Sequence, residues 1–427
     1  ESGSVHLLDG EAYRVALALE QQADPYAAGL DADTVDGILL EFEELRSMDA
    51  LDAPPPVPEN RPQEHVIKSI CLHVAHDCNL RCKYCFAATG EFHGERMLMD
   101  EETAHAALDF LMAHSGNRRH LEVDLFGGEP LMNLPLCREI VRYGRELEKK
   151  HHKQINFTMT TNCVALDDDA IAFINEEMFN VVISLDGRKT VHDALRPTAN
   201  GKGSYDLILK NAQKLIAGRG DKEYYVRGTF TRNNLDFSED VIALRDTGFR
   251  QISIEPVVLA DDSRYALLPE HLPRIFKEYD TLSAQYITAR KSDKSWYNFF
   301  HFMIDLSGGP CLYKRLRGCG AGCEYVAVTP EGDIYPCHQF VGLQQWRLGS
   351  VFFGELSKTL REEFAACNIM TKDACKDCWA KYYCGGGCMA NACQYGGGLM
   401  EPHALSCALM KKRVECALGI HIKERQS

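Results

Sequence analysis

At 427 residues, a quarter of them charged and 45% apolar, the chain is a globular protein too long for one small core, and two or three domains are expected. Its formal charge of −14 disfavours a nucleic acid held through phosphate contacts, and no apolar run approaches the roughly 20 residues of a membrane span. Eighteen cysteines without a secretory signal argue against disulfides and for a reducing cytoplasm, with cysteines spent on metal.

The sequence begins at Glu1 rather than methionine, so residues upstream are expected. Residues 1–50 read as a small separate unit: a strand over 4–8, a helix over 11–21 and a second helix over 34–46 with Val35, Ile38, Leu39, Phe42 and Leu45 on one face. So few apolar anchors make a marginal core. Residues 51–65 carry Pro54, Pro55, Pro56, Pro58 and Pro62, which remove backbone donors and favour extended chain, so this stretch reads as a semi-rigid linker.

From 66 onward the pattern repeats. Strand-like runs at 67–74, 121–126, 155–160, 180–185, 224–231 and 251–258 alternate with helical segments at 101–114, 136–149, 168–177, 205–217 and 238–246. Strand-helix alternation implies parallel strands with right-handed crossovers, and six strands are too few for an eight-stranded barrel. An α/β partial barrel over 66–304 is therefore expected, its chemistry at the carboxyl ends of the strands.

The residues there fit that expectation. After the first strand come Cys78, Cys82 and Cys85, spaced C-x3-C-x2-C with Tyr84 before the last. Three thiolates are one ligand short of a closed tetrahedral site, which suits an iron-sulfur cluster with one iron free; a zinc loop is the alternative. Gly127, Gly128 and Glu129 follow the second strand: the glycines permit close backbone approach, and the glutamate suits a positive amine. Asn162 follows the third strand and Ser184 ends the fourth, with Arg196 and Glu255 as further pocket candidates. A serine at a strand end and an arginine on the surface are equally open readings of Ser184 and Arg196.

Past 260, a helix over 270–289 and the aromatic stripe Trp296, Phe299, Phe300 and Met303 read as packing that bridges to residues 305–427. That last unit holds most of the remaining cysteines. Cys319 is followed after twelve residues by Gly332, and that glycine after four by Cys337; then come Cys375, Cys378, Cys384, Cys388 and Cys407. A zinc knuckle is again the alternative. Cys71, Cys137, Cys163, Cys311, Cys367, Cys393 and Cys416 are left as buried apolar residues.

The three-cysteine loop followed by G-G-E-P resembles the radical S-adenosylmethionine (SAM) enzymes, and the carboxyl-terminal cysteine order resembles the SPASM extension of that family. The resemblance implies a partial (βα)6 barrel with three 4Fe-4S clusters. Cys78, Cys82 and Cys85 would hold the SAM-binding cluster, with SAM on the fourth iron, while Tyr84, Gly127, Gly128, Glu129, Asn162, Ser184 and Arg196 would line the cofactor site. Cys375, Cys378, Cys384 and Cys407 would hold one auxiliary cluster. Cys319, Cys337 and Cys388 would hold the other, with Cys323 as its candidate fourth ligand. The amino-terminal strand and helices are similar to the winged-helix-like element that binds leader peptides; a plain helical cap is the other reading.

The run from Val328 to Phe340, with Cys319 to Gly322 and this amino-terminal unit, resembles the maturases of six-cysteines-in-forty-five peptides. That implies a cytoplasmic enzyme forming thioether crosslinks, of sactipeptide or ranthipeptide type, in a cysteine-rich precursor peptide with a leader. A reductant such as flavodoxin or ferredoxin would be needed, and neither nucleic acid nor membrane would be a partner. Sulfatase-type oxidation, carbon-carbon crosslinking and an iron-sulfur electron carrier are the alternatives. Anaerobic sulfatase-maturing enzymes carry an aspartate after the cysteine of the Tyr-Pro-Cys turn, whereas here His338 follows Cys337. That histidine is read either as a base or as a structural residue.

Overall fold

The computed structural model describes residues 4–53, 66–304, 306 and 315–426. The proline cluster of the expected linker and Cys311 lie outside the described residues. A single sheet organises the chain: β1 (Ser69–His76), β2 (Met97–Leu98), β3 (His120–Gly127), β4 (Gln154–Thr161), β5 (Asn180–Ser184), β6 (Glu223–Phe230), β7 (Gln251–Pro256), β8 (Asn298–Phe299), β9 (Tyr325–Val328), β10 (Asp333–Tyr335) and β11 (Gly349–Ser350). Its order is β11-β10-β9-β1-β3-β4-β5-β6-β7-β8, with β2 antiparallel on β1.

The strands from β1 through β3 to β7 are parallel, and their bounds fall within two residues of the periodicity reading. Alternation explains why. Leu121, Val123 and Leu125 enter the main core beneath the helices, and Glu122, Asp124 and Phe126 take the opposite face. The intervening helices begin where capping side chains permit: Asp100 accepts from the Thr103 amide at 2.8 Å and Asp167 from Ala170 at 2.8 Å. A further helix, Lys189–Leu195, was not evident from the pattern.

Two expectations need correction. Residues 4–9 form no strand, since an isolated extended segment with no partner leaves its backbone groups unpaired. The two helices of that unit, Gly10–Glu20 and Ala32–Ser47, bury only Val15, Val35 and Phe42. The aromatic stripe is also not one face: Phe299 is buried on β8, whereas Phe300 and Met303 are about half exposed, because a 3-10 turn replaces the helix.

The carboxyl-terminal unit starts as an extension of the barrel sheet. β9 pairs parallel with β1, from Ser69↔Tyr325 to Leu72↔Val328, and satisfies the strand edge that β3 leaves open. The chain then runs through short helical turns to a long helix, Ala404–Arg425, which returns to the barrel. There Arg413 reaches the Tyr279 hydroxyl (3.1 Å) and Glu255 (3.3 Å). Among the described residues, no helix is long and apolar enough to cross a membrane.

Candidate active site

The loop after β1 is seated on the end of β3. Gly128 donates to the Ala75 carbonyl (2.8 Å) and Glu129 to the Asp77 carbonyl (2.9 Å). A Cβ on Gly127 would stand 2.3 Å from the Ala75 oxygen, and one on Gly128 2.2 Å from the Asp77 oxygen. The two glycines are therefore needed for contact with the cysteine loop itself, a closer constraint than the approach to a ligand expected from the sequence.

Two side chains and a backbone amide converge on the loop thiols. Cys78 Sγ accepts from the Leu80 amide at 3.4 Å and faces Asn162 Nδ2 at 3.7 Å, while Asn162 also donates to Asn79 (2.7 Å). Arg196 lies 4.0 Å from Cys82 Sγ. It is not a surface residue: it pairs with buried Asp186 at 3.0 Å and lies over the Tyr84 ring, whose hydroxyl also donates to Asp186. Burial pushes the thiol of Cys78 up to about 12 and that of Cys82 up to about 11, so the thiolates of these two would persist only against a bound cation. Glu129 is fully enclosed and accepts from Thr161 Oγ1 (2.7 Å) and the amides of Asn162 (2.7 Å) and Leu131 (3.2 Å). Burial outweighs those bonds and raises its carboxyl to about 7, which leaves an acceptor suited to a cationic amine.

The carboxyl-terminal cysteines form two mutually influencing sets. Burial, then the charges of Cys388 and Cys319, push the Cys337 thiol up, and burial with Cys384, Cys375 and Cys378 raises Cys407 to about 11. The Cys323 thiol, buried in the same cluster as Cys337, donates to the Arg361 carbonyl (3.7 Å).

The donor sets suit clusters better than single ions. Zinc-sulfur bonds of ~2.3 Å at tetrahedral angles hold thiolates about 3.8 Å apart. Among the described residues, the group of three or more His, Cys, Asp or Glu whose donor atoms all lie within 4.8 Å is Glu101, His105 and Glu139, on the outer helices; the cysteine sets are wider. Lys372 points the same way. It is 1% exposed, donates to the Gly386 carbonyl at 3.0 Å, and among the described residues has no carboxylate partner. Its charge instead bears on the thiols of Cys375, Cys384 and Cys388. A buried ammonium needs a counter-charge, and an anionic iron-sulfur centre held by these thiolates would supply one.

Both walls face one cavity of about 510 Å³. Cys78, Cys82, Cys85, Gly127, Gly128, Glu129, Asn162, Ser184, Arg196 and Glu255 line it from the barrel, and Cys384, Cys388, Cys407 and His338 from the other unit. Residues 72–226 match the Radical SAM superfamily. The chain carries a radical SAM domain. It is 26% identical over 340 residues to the cysteine-type anaerobic sulfatase-maturating enzyme of Clostridium novyi (strain NT), a match covering 74% of this chain and 86% of that protein. It is 27% identical over 339 residues to the mycofactocin maturase MftC of Mycolicibacterium smegmatis, covering 75% and 78%. The solved structure of native anSMEcpe with bound AdoMet and Cp18Cys peptide shares the fold, with a TM-score of 0.66 at 20% identity over 84% of this chain and 98% of that one.

Sequence reasoning missed Arg227 on the barrel and Arg413 and Lys372 in the carboxyl-terminal unit, because each looks in sequence like a surface cation. A second charged group supports the cavity wall: Glu255 accepts from Ser253 (2.8 Å) and meets His301 (3.0 Å) and Arg413. Burial works against its charge, and the cationic surroundings outweigh burial and keep it below the usual carboxylate range. His338 Nδ1 lies 3.2 Å from the Tyr325 hydroxyl, and burial followed by the Arg227 charge lowers the ring to about 4.

Proposed function

We propose that this radical SAM protein is a maturase of a peptide or protein substrate, and that its reaction forms intramolecular thioethers in a cysteine-rich, leader-bearing precursor peptide. One observation carries the reading: the three-cysteine loop and the auxiliary cysteines Cys384, Cys388 and Cys407 open onto the same cavity, so one bound peptide can meet both. When bound, SAM and the cluster supply a 5'-deoxyadenosyl radical that removes hydrogen from carbon.

The residues divide that work. Cys78, Cys82 and Cys85 would hold the first cluster, with Asn162 and the Leu80 amide directed at Cys78. Glu129 would accept the ammonium of SAM, and Ser184 with Arg196 would hold its ribose and carboxylate. Cys375, Cys378, Cys384 and Cys407 would hold one auxiliary cluster, and Cys319, Cys337 and Cys388 the other. If Cys323 keeps its bond to the Arg361 carbonyl and does not join them, the second set would leave room for a substrate thiolate held near the carbon it attacks.

Sulfatase-type oxidation is the second reading, favoured by the similarity to the sulfatase-maturating enzyme of Clostridium novyi. Against it stands His338, directly after Cys337, in place of an aspartate. The deciding experiment is anaerobic. Reconstituted protein is incubated with SAM, reductant and a leader-bearing six-cysteine peptide, then the peptide is alkylated and weighed. Thioether formation predicts loss of two hydrogens and of one alkylatable thiol per crosslink, and no change with Cys78→Ala. An unmodified six-cysteine peptide with conversion of a sulfatase-derived cysteine peptide would transfer the assignment to the second reading.

A further inference from the structure

The charges around the cavity are unevenly balanced. Arg196 is matched by Asp186 at 3.0 Å and Arg413 by Glu255 at 3.3 Å, while Glu129 is held by Thr161 and two amides. Arg227 is different. It lies on β6 in register with Ser184 of β5, and with Thr229 two residues on it lines the same cavity. Among the described residues, its guanidinium makes no hydrogen bond or ion pair, and the Thr229 hydroxyl makes no hydrogen bond. The groups that feel its charge are Glu255, His301 and His338. Cys82 sits against Arg196. The arginine on the thiol side is thus paired, and the wall opposite carries an exposed arginine, near Glu255 in charge but without an ion pair of its own among the described residues.

We propose that Arg227, assisted by Thr229, is the binding site for a carboxylate of the peptide substrate, separate from the carboxylate of SAM. The proposal rests on the reading of this cavity as a peptide-modifying site. A guanidinium fork matches a carboxylate with two parallel bonds. A single unmatched positive charge beside ionised Glu255 suits a monoanion and disfavours a phosphate dianion. The carboxylate comes either from an aspartate or glutamate side chain or from the peptide's own terminus, and in both cases the anchor places an acidic position of the substrate across the cavity from the cysteine loop.

The test is a calorimetric titration of the reconstituted holoenzyme with SAM. The probes are acetyl-Gly-Cys-Gly-Asp-Gly-amide, its Asn counterpart, and the Asn peptide with a free terminal carboxylate. One acidic probe should bind at least about ten-fold more tightly than the neutral one, and which of the two does so identifies the source of the carboxylate. Arg227→Gln should abolish the preference, and Arg227→Lys should keep part of it. Equal binding of all three probes by the unaltered protein overturns the proposal, as does an Arg227→Gln variant that keeps the preference or loses SAM affinity instead. Formation of 5'-deoxyadenosine with reductant and no peptide is followed in parallel. If the unaltered protein forms none, the radical reading fails while the carboxylate preference stands on its own; if only the preference is missing, the role of Arg227 fails alone.

Discussion

The two walls of the cavity are built on opposite principles. On the barrel side the ligand thiols lie within eight residues, Cys78 to Cys85, and the loop rests on the largest apolar core of the molecule. On the other side the candidate ligands are spread from Cys319 to Cys407, among helical turns of three or four residues and small buried clusters such as Ile369, Cys375 and Tyr382. The barrel has enough buried apolar surface to fold before any ligand binds, whereas the carboxyl-terminal unit, if its cysteines hold clusters, would depend on them.

Iron removal should therefore have the largest effect and should act on one wall. Under anaerobic chelation, limited proteolysis should cut within 315–400 while fragments spanning 66–304 survive. Equal loss of protection in both would break the contrast. A smaller effect follows from two glycines. Gly128→Ala places a methyl group 2.2 Å from the Asp77 oxygen, so the cysteine loop must shift. A cost of about 1–3 kcal/mol is expected, with a fall in 5'-deoxyadenosine formation on the order of 100-fold from misplacement. Gly387→Ala, at φ +76 with no atom within 4 Å of the added methyl, should cost only about 1 kcal/mol from backbone strain. Thermal melts with a SAM-cleavage assay check both.

The pH dependence of the barrel site comes next in size. Glu129 has its carboxyl raised by burial to about 7, against an ordinary value of 4.5. Between those values the folded state holds a proton that the unfolded chain has released, so this group's contribution to stability falls as pH rises from 4.5 to 7. A cationic amine favours the ionised form, so SAM affinity should rise about ten-fold from pH 6 to 8, and Glu129→Gln should flatten that profile. The smallest effect is expected at Lys372. Replacing it with methionine removes the positive charge beside Cys375, Cys384 and Cys388, so an auxiliary-cluster potential measured by redox titration should move downward by tens of millivolts. An unmoved potential would place the counter-charge of Lys372 elsewhere.

Much of this was legible in order along the chain. Period-two alternation located β3 and β4 because their two faces meet different surroundings, and the helix Glu101–His114 was bounded by Asp100 at one end. The strand expected at 4–8 failed because a strand exists only with a neighbour, and the stripe from Trp296 to Met303 failed because helical spacing says nothing about whether a helix forms. A surface reading of Arg196 stayed open beside the pocket one because its partner, Asp186, sits ten positions away across a strand end.

The sequence alone determined what depends on neighbours along the chain: the repeated strand-helix units, the three-thiol loop, and the glycine pair after the second strand. Only the tertiary structure decided what depends on position in space. It bonded Cys323 to the Arg361 carbonyl, buried Lys372 among cysteines, matched Arg413 to Glu255 across 158 residues, and placed Arg227 at the cavity without an ion pair among the described residues. Local patterning reflects backbone geometry, which acts over a few residues, whereas the balance of buried charge depends on every element packed around a group.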